Sequence, residues 1–492
     1  MEKSVELTQN ISESHVEDSA WDEYVEKHAG TKGYAHFDAR CDIADVNVQN
    51  YILNPYKVAR HSFWPFIHYV MSFTKAKKIE NQVVTKDKNR EIHYAAHMDS
   101  CIFNRYAFLL NQKYNEYMLM NGLNEVAIAY RNNLKKPPCY FAAKAFKVIR
   151  DMQHCLVFIG DFTEFFDRIN HRYLKKQLRA LLNVKELPKD YYAVFKNVTR
   201  YSSCELEDIL KINNVRFRSE LAIKNFNRKY KAINNKQFIS LQGKIKKNDK
   251  NIGVPQGAAI SDVFANVYMM DFDKDMNEYV KSQGGQYMRY SDDTIIILPL
   301  SEDKTIQVHE TAIHEILRKY ENVVDLQPEK TKKFEYHNGS IQPINSSDPL
   351  FIDYLGLRLT RDYIGLRPRC LTKYYYRMHR KAFRIRAKKM RVHFSHQKNS
   401  YKQIYEIYGK GKRNLLKSIE NKDEKQNKAD KKVEKPKSTF IGYIEMVDKV
   451  LKDMFKDNIG LERDYETRVL LHNGWKKKIR KAITIKSPEN KI

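Results

Sequence analysis

Two adjacent acids at the start of an apolar run limit how one part of this chain can fold. Residues 289 to 297 read RYSDDTIII, which places Asp292 and Asp293 directly before a run of isoleucines. Neighbouring carboxylates at the end of a buried strand repel each other and lose hydration unless a cation or a strong donor faces them. The pattern predicts a turn followed by a strand. It also fits an ordinary hairpin tip, because Asp and Ser favour turns.

A second short apolar run also ends in an acid. HCLVFIGD, residues 154 to 161, predicts a strand that ends at Asp161, and INHRYLKKQLRALL after it carries apolar residues at helical spacing. An acid that leaves a strand beside the first turn would face the same pocket. Phosphoryl-transfer enzymes of the two-metal kind need such converging carboxylates, so Asp161, Asp292 and Asp293 are candidate ligands of two Mg²⁺ ions, with Mn²⁺ as an alternative.

The charge balance indicates a polyanionic partner. Lys and Arg outnumber Asp and Glu by 88 to 60 in 492 residues, a formal charge of +28, and 42% of the residues are hydrophobic, which is enough for buried cores. A nucleic acid is therefore the first partner to consider. We see no secretory signal, no stretch of membrane-spanning length and no paired cysteine motif. We accordingly expect a cytoplasmic protein with reduced thiols and no membrane partner.

Composition also predicts how the chain is divided. Residues 1–30 are acidic and predict a loose leader. Between residues 51 and 150, patterns such as ARHSFWPFIHYVMSF and SCIFNRYAFLLNQKYNEYMLM predict mixed, mostly helical structure. VPQGAAISDVFANVYMMDFDKDM predicts a turn before a long helix that packs closely on a sheet. Residues 409–437 are lysine-rich and predict a linker, and a smaller helical tail follows it.

The region after residue 370 is strongly basic. Residues 370–399 contain ten Lys or Arg and no acid, interleaved with Tyr, Phe and His. This pattern also fits a solvated helix face. We favour nucleic-acid binding, because unopposed cations contact phosphates while aromatic rings stack on bases. The candidate contacts are Lys373, Arg377, Arg380, Lys381, Arg384 and Arg386.

Five strings resemble, in order and rough spacing, the palm motifs of reverse transcriptases: GDFTEFFDRI, GVPQGAAISDVFANVYMMDFD, RYSDD, LQPEKTKKF and YLGLRL. The resemblance covers residues 50 to 360 or so. The upstream text, including REIHYAAHMDSCIFNRYAFLLNQKY, is most similar to bacterial abortive-infection, or defence-associated, reverse transcriptases. It implies an α+β right-hand polymerase with fingers at 31–150, a palm at 151–365 and a basic, mostly helical C-terminal domain at 366–492.

The resemblance also implies roles for single residues. Asp161, Asp292 and Asp293 take the positions of the metal ligands, and the backbone carbonyl of Phe162 is a further ligand candidate. Phe166 takes the steric-gate position, where a ring would clash with a ribose 2′-hydroxyl and so favour deoxynucleotides. The alternative for Phe166 is a core aromatic behind the strand.

Further residues take the positions that contact the incoming nucleotide. Gln256 matches a glutamine beside the nucleotide and template, and Gly257 permits close approach of the backbone; a simple helix-entry turn is the alternative. Arg131 and Lys144 match a basic fingers segment that holds the triphosphate. Lys330 matches a lysine that protonates or neutralises departing pyrophosphate. Since lysines abound in this chain, any single one fits a surface position equally well.

The resemblance implies a DNA polymerase of the bacterial cytoplasm that uses deoxynucleoside triphosphates in antiphage defence and copies a bound non-coding RNA. It also implies a homo-oligomer, and it permits untemplated synthesis primed from a hydroxyl of the protein itself. An RNA-dependent RNA polymerase and a catalytically inactive nucleic-acid-binding scaffold stay open as alternatives. The intact set of three acids argues against the scaffold, because a decayed site would be expected to lose clustered acids first.

Overall fold

A computed structural model of the chain describes residues 19–79, 82–217, 219–345, 348–389, 404–409, 439–456 and 459–484. The first 18 residues of the predicted leader and nearly all of the predicted linker at 409–437 lie outside the described residues. Among the described helices, none combines the length with the apolar character needed to cross a membrane.

The secondary structure alternates short helices with short strands around one long hairpin. The first half contains α1 (19–28), α2 (Val46–Ile52), α3 (Pro55–Ala59), β1 (Phe66–Ile79), β2 (Gln82–Tyr94), α4 (His97–Met120), α5 (Pro138–Met152), β3 (His154–Asp161), α6 (His171–Leu181), α7 (Lys189–Thr199), β4 (Ser202–Glu205), α8 (Leu206–Ile212), α9 (Glu220–Phe226), α10 (Asn235–Leu241) and β5 (Lys246–Lys247). The second half contains α11 (Ala259–Tyr268), α12 (Met270–Ser282), β6 (Gln286–Tyr290), β7 (Asp293–Pro299), α13 (Ile306–Lys319), β8 (Lys332–His337), β9 (Ser340–Pro343), β10 (Ile352–Tyr354), β11 (Leu357–Leu359), β12 (Ile364–Leu366), α14 (Pro368–Lys389), α15 (404–408), α16 (Phe440–Met454), α17 (Tyr465–Leu471) and α18 (Gly474–Thr484).

The predicted palm contains a five-stranded antiparallel sheet in the order β6-β7-β3-β8-β9. Its central strand β3 sends alternate residues into two separate cores: Leu156 and Phe158 pack with α4, α6 and α11, while Cys155 and Val157 pack with α5 and the C-terminal helices. Both faces of this sheet are therefore covered, which explains why HCLVFIG is apolar throughout rather than alternating. The strand prediction for residues 154 to 161 is confirmed.

The expectation of a mostly helical segment between residues 51 and 150 is wrong for residues 66–94. Here β1 and β2 form a long antiparallel hairpin that pairs from Ile67 with Tyr94 to Ile79 with Gln82. The run PFIHYVMSF fits both a helical and an alternating pattern, and its aromatic and β-branched residues favour the strand. The second predicted helix of this region is confirmed as α4.

The folded part begins earlier than the predicted leader boundary at residue 30. Helix α1 buries Trp21, which is 3% exposed, and the Trp21 ring stacks on Tyr24 at 5.3 Å and contacts Phe108 at 5.1 Å. The sequence analysis missed this helix because the segment is acidic and its apolar face consists of only two aromatic rings three residues apart.

The described part of the C-terminal region after residue 367 is mostly helical, as predicted. Helix α14 is amphipathic: Tyr374, Met378, Ala382 and Ile385 are buried at helical spacing and face a core shared with α16, α17 and α18. This core continues to the side of the palm sheet that carries Val157 and α5.

Candidate active site

The register of the palm sheet brings the three predicted carboxylates to one place. In the antiparallel pair of β3 and β7, Asp161 lies directly opposite Asp293. The backbone N–H of Phe162 donates to the carbonyl of Asp292 at 3.1 Å, which extends the ladder by one step. Directly opposed residues have neighbouring side chains, so the end of β3 and the turn before β7 together present three acids.

Asp292 and Asp293 lie at a tight hairpin turn between β6 and β7. Tyr290 pairs with Asp293, so Ser291 and Asp292 form a two-residue loop. Ser291 has a φ of +59°, and positive φ at the first loop position is the pattern of a type II′ turn, where glycine is preferred. Such a residue costs about 1–3 kcal/mol and persists only where its surroundings hold it. The Tyr130 hydroxyl, 3.2 Å from Ser291 Oγ, is one of those contacts.

A buried ion pair lies beneath the turn. Arg289 and Asp273 are both 0% exposed, with Nη2 to Oδ2 at 2.6 Å and Nε to Oδ1 at 2.8 Å, and the Tyr287 hydroxyl donates to the same Oδ1 at 2.8 Å. Arg289 Nη1 also donates to the carbonyl of Ser291 at 3.0 Å. The pair therefore connects α12 to the strained residue. Our sequence reasoning missed it, although Arg289 and Asp273 stand within RYSDD and MMDFD.

Crowding makes the carboxylates hard to ionise together. Burial raises the pKa of Asp292, the Asp161 carboxylate raises it further, and Lys330 and Lys88 oppose the shift. Loss of hydration, followed by repulsion from Asp292 and Asp161, raises the pKa of Asp293 to about 6, although part of this residue stays open to solvent. The three acids therefore act on one another, and a cation would relieve them.

Lys330 supplies a cation at the site. It lies in a 3-10 turn just before β8, and its Nζ is 2.6 Å from Asp161 Oδ1.

Within the described residues, no group of three or more His, Cys, Asp or Glu side chains has a metal-binding arrangement. The donor types still fit Mg²⁺, which prefers carboxylate and carbonyl oxygens. No described hydrogen bond uses the Phe162 carbonyl, which leaves that oxygen available as a ligand.

The predicted nucleotide side of the site is assembled from two segments. The backbone N–H of Val254 donates to the carbonyl of Phe166 at 3.0 Å, and Gln256 Nε2 lies 3.4 Å from Asp167 Oδ2. Phe166 itself is half-buried against the core, with its ring 5.7 Å from that of Phe165. The turn that carries Gln256 therefore adjoins the predicted gate.

Gly257 makes a close approach, and its neighbour is the fingers hairpin. Its φ is +118°, and a Cβ there would lie 2.7 Å from the carbonyl oxygen of His93. The backbone N–H of His93 donates to the carbonyl of Gln256 at 2.8 Å. Any side chain at 257 would therefore push β2 away from the palm.

The two fingers cations predicted to hold the triphosphate have protein partners. The Arg131 side chain is buried and donates hydrogen bonds to Asn115, to the side-chain and backbone oxygens of Asn124 and to the Ala127 carbonyl. These contacts stabilise the loop before the 3-10 helix at Asn132–Leu134. Lys144 Nζ lies 2.5 Å from Glu125 Oε1. Nucleotide contacts by these two residues stay predictions.

Lys88, on β2, is a cation that our sequence reasoning missed. It is exposed, and its charge lowers the pKa of Asp292. The basic string KDKNR could have indicated a cation near the site, but only if β2 had been predicted as a strand.

The predicted basic surface of α14 is largely open to solvent. Lys373, Arg377, Arg380 and Arg384 are exposed, Lys381 is half-buried, and the Arg386 side chain lies outside the described residues. Two aromatic residues share this surface, because Tyr376 is 65% and Phe383 is 62% exposed. The helix thus presents the combination of cations and rings that favours nucleic acid. Contact with nucleic acid stays a prediction.

Comparisons with known proteins identify the family. The sequence profile "Reverse transcriptase (RNA-dependent DNA polymerase)" matches residues 112–359, half of the chain. None of the curated proteins matches by sequence. Solved structures that match include apo telomerase from Candida tropicalis truncated of its C-terminal domain, with 13% identity, TM-score 0.39, 60% of this chain and 54% of that chain covered.

Two further matches are telomerases in complex with a fragment of telomeric RNA. The Candida albicans structure has 13% identity and TM-score 0.36, with 95% of this chain and 75% of that chain covered. The Candida tropicalis structure has 13% identity and TM-score 0.34, with 89% and 65% covered. This chain spans about half the length of the truncated telomerase. By its sequence profile, the chain belongs to the reverse transcriptase family of RNA-dependent DNA polymerases.

Proposed function

We propose that this protein is a reverse transcriptase that copies a bound non-coding RNA into DNA by two-metal nucleotidyl transfer and that it acts in antiphage defence. The observation that carries the catalytic part is the direct opposition of Asp161 and Asp293, with Asp292 on the strained turn between β6 and β7. The defence role rests on the resemblance of the chain to abortive-infection enzymes.

Four groups would hold the metal ions: the carboxylates of Asp161, Asp292 and Asp293 and the carbonyl of Phe162. When bound, two Mg²⁺ ions activate an attacking hydroxyl and neutralise the leaving pyrophosphate. The raised pKa of Asp293 supports this proposal, because carboxylates that repel one another gain most from a divalent cation.

The chain's own residues then have separable tasks. Lys330 Nζ holds a proton beside Asp161 and can pass it to the departing pyrophosphate. Lys88 is a further candidate to meet the triphosphate, because its charge acts on Asp292, whereas the donors of Arg131 are engaged in its own loop. The ring of Phe166 would exclude a 2′-hydroxyl, which selects deoxynucleotides.

Template binding rests on charge. The net charge of +28 and the exposed cations of α14 suit a bound RNA, since neutralised phosphates release counterions and drive association. The exposed rings of Tyr376 and Phe383 would add stacking on unpaired bases.

The proposal is tested by purifying the protein with the nucleic acid that it carries and sequencing that material after separate RNase and DNase treatment. The double variant Asp292→Asn/Asp293→Asn serves as the control. A discrete RNA, with complementary DNA from the unmodified protein alone, supports templated synthesis. DNA that is unrelated to any bound RNA and stays with the denatured protein would indicate untemplated, protein-primed synthesis instead of templated copying. Absence of DNA from both samples would contradict polymerase activity.

A further inference from the structure

A cleft of about 710 Å³ lies between α3 and α7, and none of its residues belongs to the candidate active site. Its volume is within the range of about 300–1,000 Å³ that is typical of ligand sites. Its lining residues are Pro55, Tyr56, Ala59, Arg60, His61, Phe63, Lys189, Asp190, Tyr192, Ala193, Lys196, Asn197 and Arg200.

The cleft is rich in cations that have no acidic partner. Arg60, Lys189, Lys196 and Arg200 are exposed, and none of them takes part in an ion pair among the described residues. The one acid in the lining, Asp190, is buried and accepts a hydrogen bond from the hydroxyl of Tyr106 at 2.6 Å. Four exposed cations against one buried acid leave the cleft with an excess of positive charge that is available to an anion.

Two tyrosines stand open at the same cleft. Tyr56 is 66% exposed, with the Arg60 guanidinium 3.4 Å from its ring centroid. Tyr192 is 44% exposed and follows Lys189 within α7. Exposed rings beside unpaired cations supply stacking and phosphate contacts together, which is how single strands are bound without sequence preference.

The wall opposite α7 is held in place by hydrogen bonds. Asp99, which is 1% exposed, accepts from His61 Nε2 at 2.8 Å and from the backbone N–H of Trp64 at 2.9 Å. The other ring nitrogen of His61 lies 2.9 Å from the Tyr51 hydroxyl. The cleft is therefore a formed feature of the fold.

We propose that this cleft binds a single strand of nucleic acid away from the catalytic carboxylates. Lys189 and Arg200 mark the two ends of α7, so the cations extend about 16 Å at 1.5 Å per residue. That length suits successive phosphates of a strand better than one free nucleotide. The assignment does not depend on catalysis, because it rests on the charge of the cleft and on its exposed rings.

The test uses the full chain carrying Asp292→Asn/Asp293→Asn, so that no synthesis is needed. A single-stranded RNA with 4-thiouridine at several positions is bound, irradiated, and the cross-linked peptides are identified by mass spectrometry. We expect cross-links in the peptides that contain Tyr56 or Tyr192. Cross-links confined to α14 and the palm would overturn the proposal.

A quantitative arm measures fluorescence anisotropy against salt. Lys196→Ala/Arg200→Ala should weaken binding of the RNA by roughly tenfold and reduce the salt slope by about 1.4, since two phosphate contacts are lost. The matched control Lys224→Ala/Lys236→Ala removes two exposed cations from α9 and α10. Equal losses in both variants, or tighter binding of duplex than of single strand at the cleft, would contradict the proposal. Circular dichroism melts of each variant confirm folding.

Discussion

The ammonium of Lys330 lies 2.6 Å from Asp161 Oδ1, at the end of the strand that carries the predicted catalytic acid. The Lys330 side chain is 46% exposed and that of Asp161 is 19% exposed. An ion pair so open to solvent contributes only about 0–1 kcal/mol to stability. We therefore expect the Lys330–Asp161 ion pair to contribute to the chemistry at the site and little to the stability of the fold.

Replacement of Lys330 tests that division. Lys330→Ala should lower kcat by roughly a hundredfold, because a positioned general acid contributes about 10²–10⁴ in rate, while the melting temperature changes little. Steady-state incorporation of deoxynucleotides against pH is the measurement. Lys330→Arg, which keeps the charge but not a transferable proton, is the control. An unchanged kcat in Lys330→Ala would remove this lysine from the mechanism.

The buried Arg289–Asp273 pair should behave in the opposite way. Asp273→Asn leaves the Arg289 guanidinium without its counter-charge in a site that is 0% exposed, which costs about 3–5 kcal/mol of unfolding free energy. Chemical denaturation gives that difference. The double change Arg289→Met/Asp273→Asn should cost less than the sum of the single changes, because the unpaired charge is gone. Simple additivity would mean that the two side chains do not stabilise each other.

Asp262 predicts a pH effect on stability. Burial raises the pKa of this α11 carboxyl to about 6, so the folded state binds its proton more tightly than the unfolded state does. Its contribution is therefore present at low pH and is lost as pH rises through 6. Asp262→Asn should leave stability near pH 4 little changed and raise it above pH 7 by up to about 3 kcal/mol, at about 1.4 kcal/mol per pKa unit. Thermal melts of the variant and of the unmodified protein across that pH range are the measurement. Equal melting curves at pH 7.5 would contradict the effect assigned to burial of Asp262.

Phe166 should decide which sugar the enzyme accepts. Phe166→Ala opens the half-buried gate position, and we expect incorporation of ribonucleotides to rise while that of deoxynucleotides stays within a few fold. Single-nucleotide extension with each triphosphate measures the ratio, and Phe166→Tyr is the control that keeps a ring. If the unmodified protein already uses ribonucleotides freely, Phe166 is not a gate.

The parts of the site that sequence could predict are local. HCLVFIGD and RYSDD each contain an apolar run and its terminal acid, so the strand ending at Asp161 and the hairpin at Asp292 were readable directly. Lys330 was matched by its motif alone, and the 3-10 turn that carries it was not predicted. The three acids were expected to face one pocket, but the antiparallel register that sets Asp161 opposite Asp293 could not be derived from either string.

Other parts of the site depend on tertiary packing. Arg131 was predicted to hold phosphate from its type and motif; its donors contact Asn115 and Asn124 in its own loop, and a nucleotide contact stays a prediction. The hairpin of β1 and β2 has a pattern that two periods fit, so Lys88 was not connected with the active site. Gly257 was predicted to allow a close backbone approach beside the nucleotide; the structure shows a close approach to the His93 carbonyl on β2, and the nucleotide contact stays a prediction.

The central claim is that Asp161, Asp292 and Asp293 form the catalytic centre of a DNA polymerase. The most direct measurement is incorporation of labelled deoxynucleotides by purified protein in Mg²⁺, with Asp292→Asn beside the surface control Asp303→Asn. We predict that Asp292→Asn reduces incorporation to background while it keeps its fold, and that Asp303→Asn incorporates like the unmodified protein. Undiminished incorporation by a folded Asp292→Asn variant would contradict the account.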